Sequence, residues 1–180
     1  MTEASDVLLA GDPRLRLVAE PCGEVDQALR DDLQRMRRSL VNFRVRNGWG
    51  RALAAPQIGA ARRAIVCEVG DNLAALLDPE IVWRSAERVI VWDDCFSLPG
   101  VTAPVVRHAS VSVRYMDETG RARRMERLEP ALAELVQHEI DHLDGVLFVD
   151  RIVSPAFVVA REHKVSAAKT HAEALRKFLA

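Results

Sequence analysis

A short histidine-containing run in an apolar segment constrains this chain more than any other feature of its sequence. Residues 138–142 read His-Glu-Ile-Asp-His, within a segment that begins at Glu129-Pro130 and stops at Gly145. Proline in the first turn and glycine after the last are typical of helix ends. Four-residue spacing on that helix places His138 and His142 one turn apart on one face, roughly 5–6 Å between Cβ atoms. The two imidazoles can therefore bind one metal ion on a central helix.

Glu139 follows the first histidine and has the position of a proton carrier. At that offset its carboxylate can reach a metal-bound water without itself being a ligand. A charged helix that contains this pattern by chance is the alternative. The other positions of the segment are apolar, however, and burying two histidines and a glutamate among them is costly unless they are engaged; these apolar positions are Leu132, Leu135, Val136 and Leu143.

A metal ion with an open catalytic position usually has three protein ligands, so a third is expected outside this helix. Cys95 lies upstream, where a strand-like run gives way to a turn-rich segment, and a cysteine there can point into a cleft. Downstream candidates belong to a charged segment for which a solvated helix face is the better interpretation: Glu162, His163, His171 and Glu173. Cys67, in an apolar run, is interpreted as a buried strand thiol, and Cys22 is assigned no role.

Length and charge limit the classes of protein that this chain can be. Its 180 residues, 49% of them apolar, predict one domain over residues 1–180. A net charge of −1 with scattered basic residues argues against a specific nucleic-acid partner. The acidic start, residues 1–6, lacks a signal-peptide pattern, and no run approaches membrane-spanning length. We therefore expect a cytoplasmic protein with no membrane partner.

Hydrophobic periodicity predicts an α+β fold, with antiparallel strands packed around a central metal-bearing helix and with an N-terminal and a C-terminal helix. The two flanking helices are expected over residues 25–46 and 155–179. A loop is expected over residues 48–59. Strands are predicted at residues 64–69, 73–77, 81–84, 88–92, 110–116 and 121–127.

Three segments together resemble the peptide deformylases, metal hydrolases that remove the N-formyl group from the initiator methionine of new bacterial proteins. Residues 50–57 resemble the family's Gly-x-Gly-x-Ala-Ala-x-Gln motif, residues 93–97 its Glu-Gly-Cys-x-Ser motif, and residues 137–145 its Gln-His-Glu-x-Asp-His-x-x-Gly motif. Weaker similarity extends to residues 11–16, 78–79 and 148–151 and to Arg107. The resemblance covers most of the chain, and the family's α+β fold agrees with the pattern read above.

The resemblance implies a metal site and an oxyanion site. Fe²⁺ is the favoured ion and Zn²⁺ or Ni²⁺ are alternatives, because one thiolate and two imidazoles suit several divalent metals. Glu139 would take the proton of the attacking water, while the side-chain amide of Gln57 and the backbone N–H of Phe96 would stabilise the oxyanion. The implied partners are an N-formylated peptide or small formyl-amide substrate and, transiently, the ribosome. The implied metal ligands are Cys95, His138 and His142.

The positions expected to contact the substrate depart from the family's motifs. Arg51 and Ala52 stand where the loop motif has an apolar residue and a glycine, and Asp94 replaces the glycine before the ligand cysteine. Glu134 lies one turn before His138 on the same helical face, where the family usually has an apolar residue that lines the methionine pocket. The full set of candidate substrate contacts is Arg51, Ala52, Asp94, Ala131, Glu134 and Leu135.

Arg51 and Glu134 allow two interpretations. Both side chains can extend into solvent, which leaves the pocket open to methionine. Alternatively they face each other as a partly buried pair, and methionine would then fit poorly.

The function accordingly has three hypotheses. These are a deformylase of newly made proteins, a related hydrolase of another N-formyl amine, and a metal-binding protein without turnover. Retention of Glu139 argues against the last, since a pure binder has no need of it.

Overall fold

The computed structural model describes residues 7–179, in which one helix contacts strands of two antiparallel sheets. The acidic residues 1–6, used above to predict location, lie outside the described part. Short 3-10 turns connect several of the elements. The helices and strands, in chain order, are α1 (Gln27–Asn47), β1 (Ala52–Ala54), β2 (Ala64–Val69), β3 (Asn72–Arg84), β4 (Arg88–Cys95), β5 (Leu98–His108), β6 (Val111–Met116), β7 (Ala122–Met125), α2 (Pro130–Leu143), β8 (Val159–Ala160), α3 (Lys164–Thr170) and α4 (Ala172–Arg176).

The larger sheet lies between the two long helices. Its strand order is β1-β2-β3-β6-β7, and every neighbouring pair is antiparallel. Successive side chains of a strand point to opposite faces. Val66 therefore packs in the core cluster that contains the α1 residues, whereas Ile65 and Cys67 pack in the cluster that contains the α2 residues. Cys67 is a buried free thiol, as its apolar run predicted.

Helix α1 begins and ends as its sequence indicates. The side chain of Asp26 accepts a hydrogen bond from the N–H of Leu29, and Gly48 ends the helix in the left-handed conformation. Its buried face is formed by residues at helical spacing: Leu29, Leu33, Met36 and Leu40. The predicted bounds, 25–46, differ from the observed ones by two residues at the start and one at the end.

Helix α2 is the element that positions the site. It starts with Pro130 in its first turn, and ten of its fourteen residues are buried. The Gln137 amide accepts a hydrogen bond from the N–H of His108 and donates one to the carbonyl of the same residue. This two-way contact fastens α2 to β5 of the smaller sheet, whose strand order is β4-β5-β8.

The predicted strands differ from the structure in three places. The runs 73–77 and 81–84 are one strand, β3, whose register shifts where Asp78 and Pro79 interrupt the ladder. Strand β5 was not predicted, because its Leu-Pro-Gly start has the composition of a turn. Strand β1 was likewise hidden within the expected loop 48–59.

The C-terminal segment is partly helical, as expected, but it is not one helix over residues 155–179. The segment contains two short helices, α3 and α4, and the strand β8, separated and flanked by 3-10 turns. Val159 and Ala160 pair with Thr102 and Val101 at the edge of β5. This pairing with a distant strand overrides the local helical pattern.

No helix within residues 7–179 has the length and apolar character that crossing a membrane requires.

Candidate metal centre

Three buried side chains converge between two elements of the fold, the helix α2 and the strand β4. His138 and His142 come from α2, and Cys95 ends β4, where Phe96 and Ser97 form the two-residue turn into β5. One ligand atom from each lies within 4.8 Å of the others, and Cys95 Sγ is 3.2 Å from His142 Nε2. A thiolate and two imidazoles at this separation fit one divalent transition metal ion. The structure therefore brings together the three residues that the sequence analysis predicts as metal ligands.

Asp93 orients His138, the first candidate ligand. Its Oδ1 lies 2.8 Å from His138 Nδ1, an ion-pair distance at an angle that does not meet hydrogen-bond geometry, and its Oδ2 accepts a hydrogen bond of 2.8 Å from Arg107. Burial alone would raise the pKa of Asp93, but the charges of His138 and Arg107 lower it well below its ordinary range. A carboxylate on the far nitrogen fixes the ring so that Nε2 faces the site.

A chain of charged side chains runs from the buried Asp93 to Arg151, whose side chain is 46% exposed. Arg107, with 4% of its side chain exposed, also donates to Asp141 at 2.5 Å. Arg151 completes the chain with two hydrogen bonds to Asp141, of 2.6 and 2.7 Å. Asp141 lies on α2 between the two histidines, so this network positions the ligand-bearing helix against β4 and β5. Sequence reasoning noted Arg107 only as a weak similarity; its signal was a charge inside an apolar strand.

Glu139 is buried beside the candidate ligands and lines the same cleft as His138. Its Oε2 has no hydrogen-bond partner among residues 7–179. In the protein alone, burial raises the pKa of this carboxyl to about 7, although the charge of His138 opposes the rise. A carboxyl group that has a pKa near neutrality and an oxygen without a hydrogen-bond partner is suited to accept and return a proton. The unpartnered oxygen also fits a site that holds an ion and a reacting group.

Gln57 is held beside Cys95 in a fixed orientation. Its Oε1 accepts a hydrogen bond of 2.9 Å from the N–H of Ala54. Its Nε2 therefore faces the site, 3.2 Å from Ser97 Oγ and 3.5 Å from Cys95 Sγ. The N–H of Phe96 is not used in the backbone hydrogen bonds found for described turns and loops. Both expected oxyanion donors thus lie next to Cys95.

A cleft of about 610 Å³ opens over the ligands. Five of the six predicted substrate contacts line it: Arg51, Ala52, Asp94, Glu134 and Leu135. Ala131 does not line it and is exposed; its carbonyl instead accepts a hydrogen bond of 2.9 Å from Arg51. Two further lining residues, Arg161 and Lys164, were not predicted.

Arg51 and Glu134 form a pair. Arg51 Nη2 lies 3.1 Å from Glu134 Oε2, and the side chains are 43% and 21% exposed. Burial raises the pKa of Glu134, while the positive charge of Arg51 counteracts that rise. Of the two interpretations of these residues, the structure favours the partly buried pair over two solvated side chains.

An aromatic cluster supports the loop at the edge of the cleft. The ring of Phe96 stacks on Phe43 with centroids 3.7 Å apart, and Trp49 packs edge-on against both rings. Gly50 has φ of +120°, and a Cβ built there would lie 2.2 Å from Phe96 Cζ. The loop motif therefore needs glycine here for both backbone conformation and space.

We expect Gly50→Ala to destabilise the protein by about 1–3 kcal/mol beyond the cost of the backbone conformation alone, because the methyl group must displace Phe96. Gly11→Ala is the matched control, since Gly11 has a similar φ of +106° but nothing within 4 Å of a Cβ. Urea unfolding of both variants measures the difference. Equal losses in the two variants would show that Phe96 yields without cost.

Comparisons with known proteins point to one family. The family model described as Polypeptide deformylase matches residues 4–157. Peptide deformylase of Treponema pallidum is 41% identical over 143 residues, which are 79% of this chain and 84% of that protein. Peptide deformylase of Thermotoga neapolitana is 37% identical over 164 residues, 91% of this chain and 96% of that protein.

Solved structures show the same fold. The peptide deformylase of Thermotoga maritima superposes with a TM-score of 0.75 at 34% identity, over 82% of this chain and 97% of that one. The enzyme of Synechococcus elongatus in complex with actinonin has a TM-score of 0.77 at 32% identity, over 94% and 87% of the two chains. The resemblance stated from three sequence motifs is thereby confirmed over most of the chain.

Proposed function

This chain belongs to the polypeptide deformylase family, a family of metal-dependent hydrolases, and from that premise we propose how its own residues remove the N-formyl group from newly made proteins. The observation that carries the proposal is the unpartnered, buried carboxylate of Glu139 beside three converging metal-ligand atoms. Cys95, His138 and His142 would hold the ion. When bound, a divalent ion supplies Lewis-acid chemistry that makes water a nucleophile near neutral pH.

Glu139 is proposed to move the proton. It accepts a proton from the attacking water as the new C–O bond forms at the formyl carbon. It then gives that proton to the nitrogen as the C–N bond breaks, which releases formate and a free N-terminus. Burial supports this role because it raises the pKa of the carboxyl to about 7.

Gln57 and Phe96 are proposed to stabilise the negative charge on the formyl oxygen. The Gln57 amide is preorganised because its oxygen is already engaged by Ala54, so its N–H groups need no reorientation when charge develops. The N–H of Phe96 lies one residue beyond the cysteine ligand and approaches from the turn between β4 and β5.

We expect Gln57→Leu to lower kcat by about 10²–10³-fold, since it removes one oxyanion donor. Gln57→Glu is a sharper companion, because a carboxylate of similar shape would repel the developing charge. Steady-state kinetics on formyl-Met-Ala-Ser, with metal content checked for each variant, measures the effect. A kcat within threefold of the unaltered protein would remove Gln57 from the mechanism.

The Arg51–Glu134 pair is proposed to limit how well the cleft holds an apolar side chain. Neither charge can be removed alone without leaving the other half-buried and unpaired. We expect the double variant Arg51→Ile/Glu134→Leu to lower KM for formyl-Met-Ala-Ser by about 3–10-fold, as apolar contact replaces a charged wall. Steady-state kinetics on the full double-mutant cycle tests this. A KM unchanged in all three variants would show that the pair lies outside the methionine contact.

Which metal ion is bound and where in the cell the reaction occurs are also proposals. Fe²⁺ suits the mixed sulfur and nitrogen donor set, with Zn²⁺ or Ni²⁺ as substitutes. A substrate that is a newly made protein supports the proposal that the reaction takes place in the cytoplasm, in transient association with the ribosome. Metal analysis of protein purified without oxygen, and cosedimentation with ribosomes, test these two points.

The function itself is tested by release of formate. Protein purified without oxygen and loaded with iron is expected to release formate from formyl-Met-Ala-Ser, and acetyl-Met-Ala-Ser serves as the control substrate. Turnover of a non-peptide formyl-amide with inertness toward formyl peptides would favour the related hydrolase of another N-formyl amine. Inertness toward every formyl compound would favour a metal-binding protein without turnover.

A further inference from the structure

The C-terminal segment supplies one rim of the metal-bearing cleft. Arg161 follows β8 directly, and Lys164 begins α3 three residues later. Because β8 pairs with β5, and β5 continues from the turn after Cys95, both side chains line the cavity that Cys95 and His138 also line. Neither residue falls within residues 4–157, the part that matches the family model.

Arg161 and Lys164 share one carboxylate at this rim, that of Asp94. Lys164 Nζ lies 2.8 Å from Asp94 Oδ2, and Arg161 Nε lies 3.3 Å from the same oxygen. One carboxylate therefore faces two cations. The other basic groups lining the cleft have carboxylates of their own, since Arg44 pairs with Glu68 and Arg51 with Glu134.

Arg161 is held in a defined orientation by the Trp49 ring and by its ion pair with Asp94, and its guanidinium donates no hydrogen bond within residues 7–179. Its guanidinium carbon lies 3.9 Å from the centroid of the Trp49 ring. Its Nε is buried and makes no aligned hydrogen bond within residues 7–179. A third of its side chain is exposed, and its Nη1 and Nη2 donate no hydrogen bond to a described residue. A stacked guanidinium with free donors is arranged to bind a carboxylate with little loss of conformational entropy.

Building on the proposed deformylation, we propose that Arg161 and Lys164 form a subsite for a carboxylate of the peptide that follows the formylated residue. The carboxylate comes either from an acidic side chain or from the free C-terminus of a short peptide. With the formyl group at Cys95, His138 and His142, the rest of the peptide extends over the rim where these cations lie. The subsite acts on binding, so it changes KM more than kcat.

A purely structural role makes a different prediction. If the two cations only fasten the C-terminal segment to Asp94 and Trp49, removing one changes the KM of every peptide in the same proportion. A carboxylate subsite changes KM only for peptides that carry the anion. The ratio of KM values, rather than any single value, therefore separates the two roles.

The test compares three peptides on the iron-loaded, full-length protein: formyl-Met-Ala-Ala-amide, formyl-Met-Asp-Ala-amide and formyl-Met-Ala-Ala with a free carboxylate. We expect at least one anionic peptide to have a KM about three- to fivefold below that of the neutral amide, with the advantage decreasing as NaCl rises. The aspartate peptide reports a side-chain carboxylate and the free acid a chain end. Equal KM values for all three peptides overturn the proposal, whereas turnover of the neutral amide leaves the proposed function intact.

Variants identify the residues responsible. Arg161→Gln is expected to bring the KM ratio close to one, and Lys164→Gln to reduce it partly. Arg176→Gln is the control, a basic residue of the same segment that does not line the cleft, and it should keep the ratio. An unchanged ratio in both Arg161→Gln and Lys164→Gln would overturn the assignment. Should Arg161→Gln fail to fold, Lys164→Gln and the salt dependence of the unaltered protein decide it.

Discussion

Glu139→Gln is expected to lower kcat for N-formyl peptides by about 10²–10⁴-fold while leaving the metal ion bound. Glutamine has nearly the shape of glutamate but cannot accept the proton of the attacking water. The carboxylate is not one of the three converging ligand groups, so the ion should remain. Rapid measurement of formate release, together with metal analysis of the same sample, gives both quantities.

A second glutamate of the same helix region provides the control for this variant. Glu129 precedes α2, is exposed and makes no capping hydrogen bond, so Glu129→Gln should retain kcat and metal content. If Glu139→Gln kept more than a tenth of kcat, another group would have to carry the proton. If it lost its metal, the variant would report ligand geometry instead, and the role of Glu139 would need reassignment.

Arg107→Met is expected to destabilise the fold by about 3–5 kcal/mol, because it leaves two buried carboxylates without their shared cation. Asp93 and Asp141 both bind this guanidinium, and methionine fills much of its volume without replacing its charge. Urea unfolding in the presence of a chelator measures the loss without a contribution from bound metal.

Arg114→Met is the matched control for that measurement. Arg114 pairs with Glu80 on the surface, where the two side chains are 63% and 59% exposed, so its loss should cost less than about 1 kcal/mol. Since Asp93 also orients His138, Arg107→Met should weaken metal affinity by about 10–100-fold. Equal destabilisation by the two substitutions would mean that the buried network adds nothing to stability.

The parts of the site that sequence could predict depend on local geometry. His138 and His142 share a face because helical spacing is fixed within one turn, and Pro130 and Gly145 mark the ends of that segment. Cys95 is 43 residues from His138 in the sequence. Only its position at a strand exit and the family resemblance predicted that it lies near the helix. The network through Arg107 joins β4, β5 and α2. Because these elements are distant in the sequence, no helical or strand periodicity could predict their contact.

The C-terminal segment shows the opposite case, in which a local pattern misled. Residues 155–179 have helical composition, yet Val159 and Ala160 complete the edge of β5. That tertiary pairing turns the following residues back toward the cleft and brings Arg161 and Lys164 to its rim. The Arg51–Glu134 pair was one of two interpretations from sequence, and only the positions of the loop and of α2 in the fold could decide between them.

The central claim is that one ion held by Cys95, His138 and His142 is required for deformylation, and titration of metal into metal-free protein tests it most directly. Bound iron and the rate of formate release should rise together and reach a plateau at one ion per chain. Cys95→Ala should bind the ion far more weakly and remain inactive over the same range. Formate release by metal-free protein, or full binding and activity in Cys95→Ala, would contradict the account.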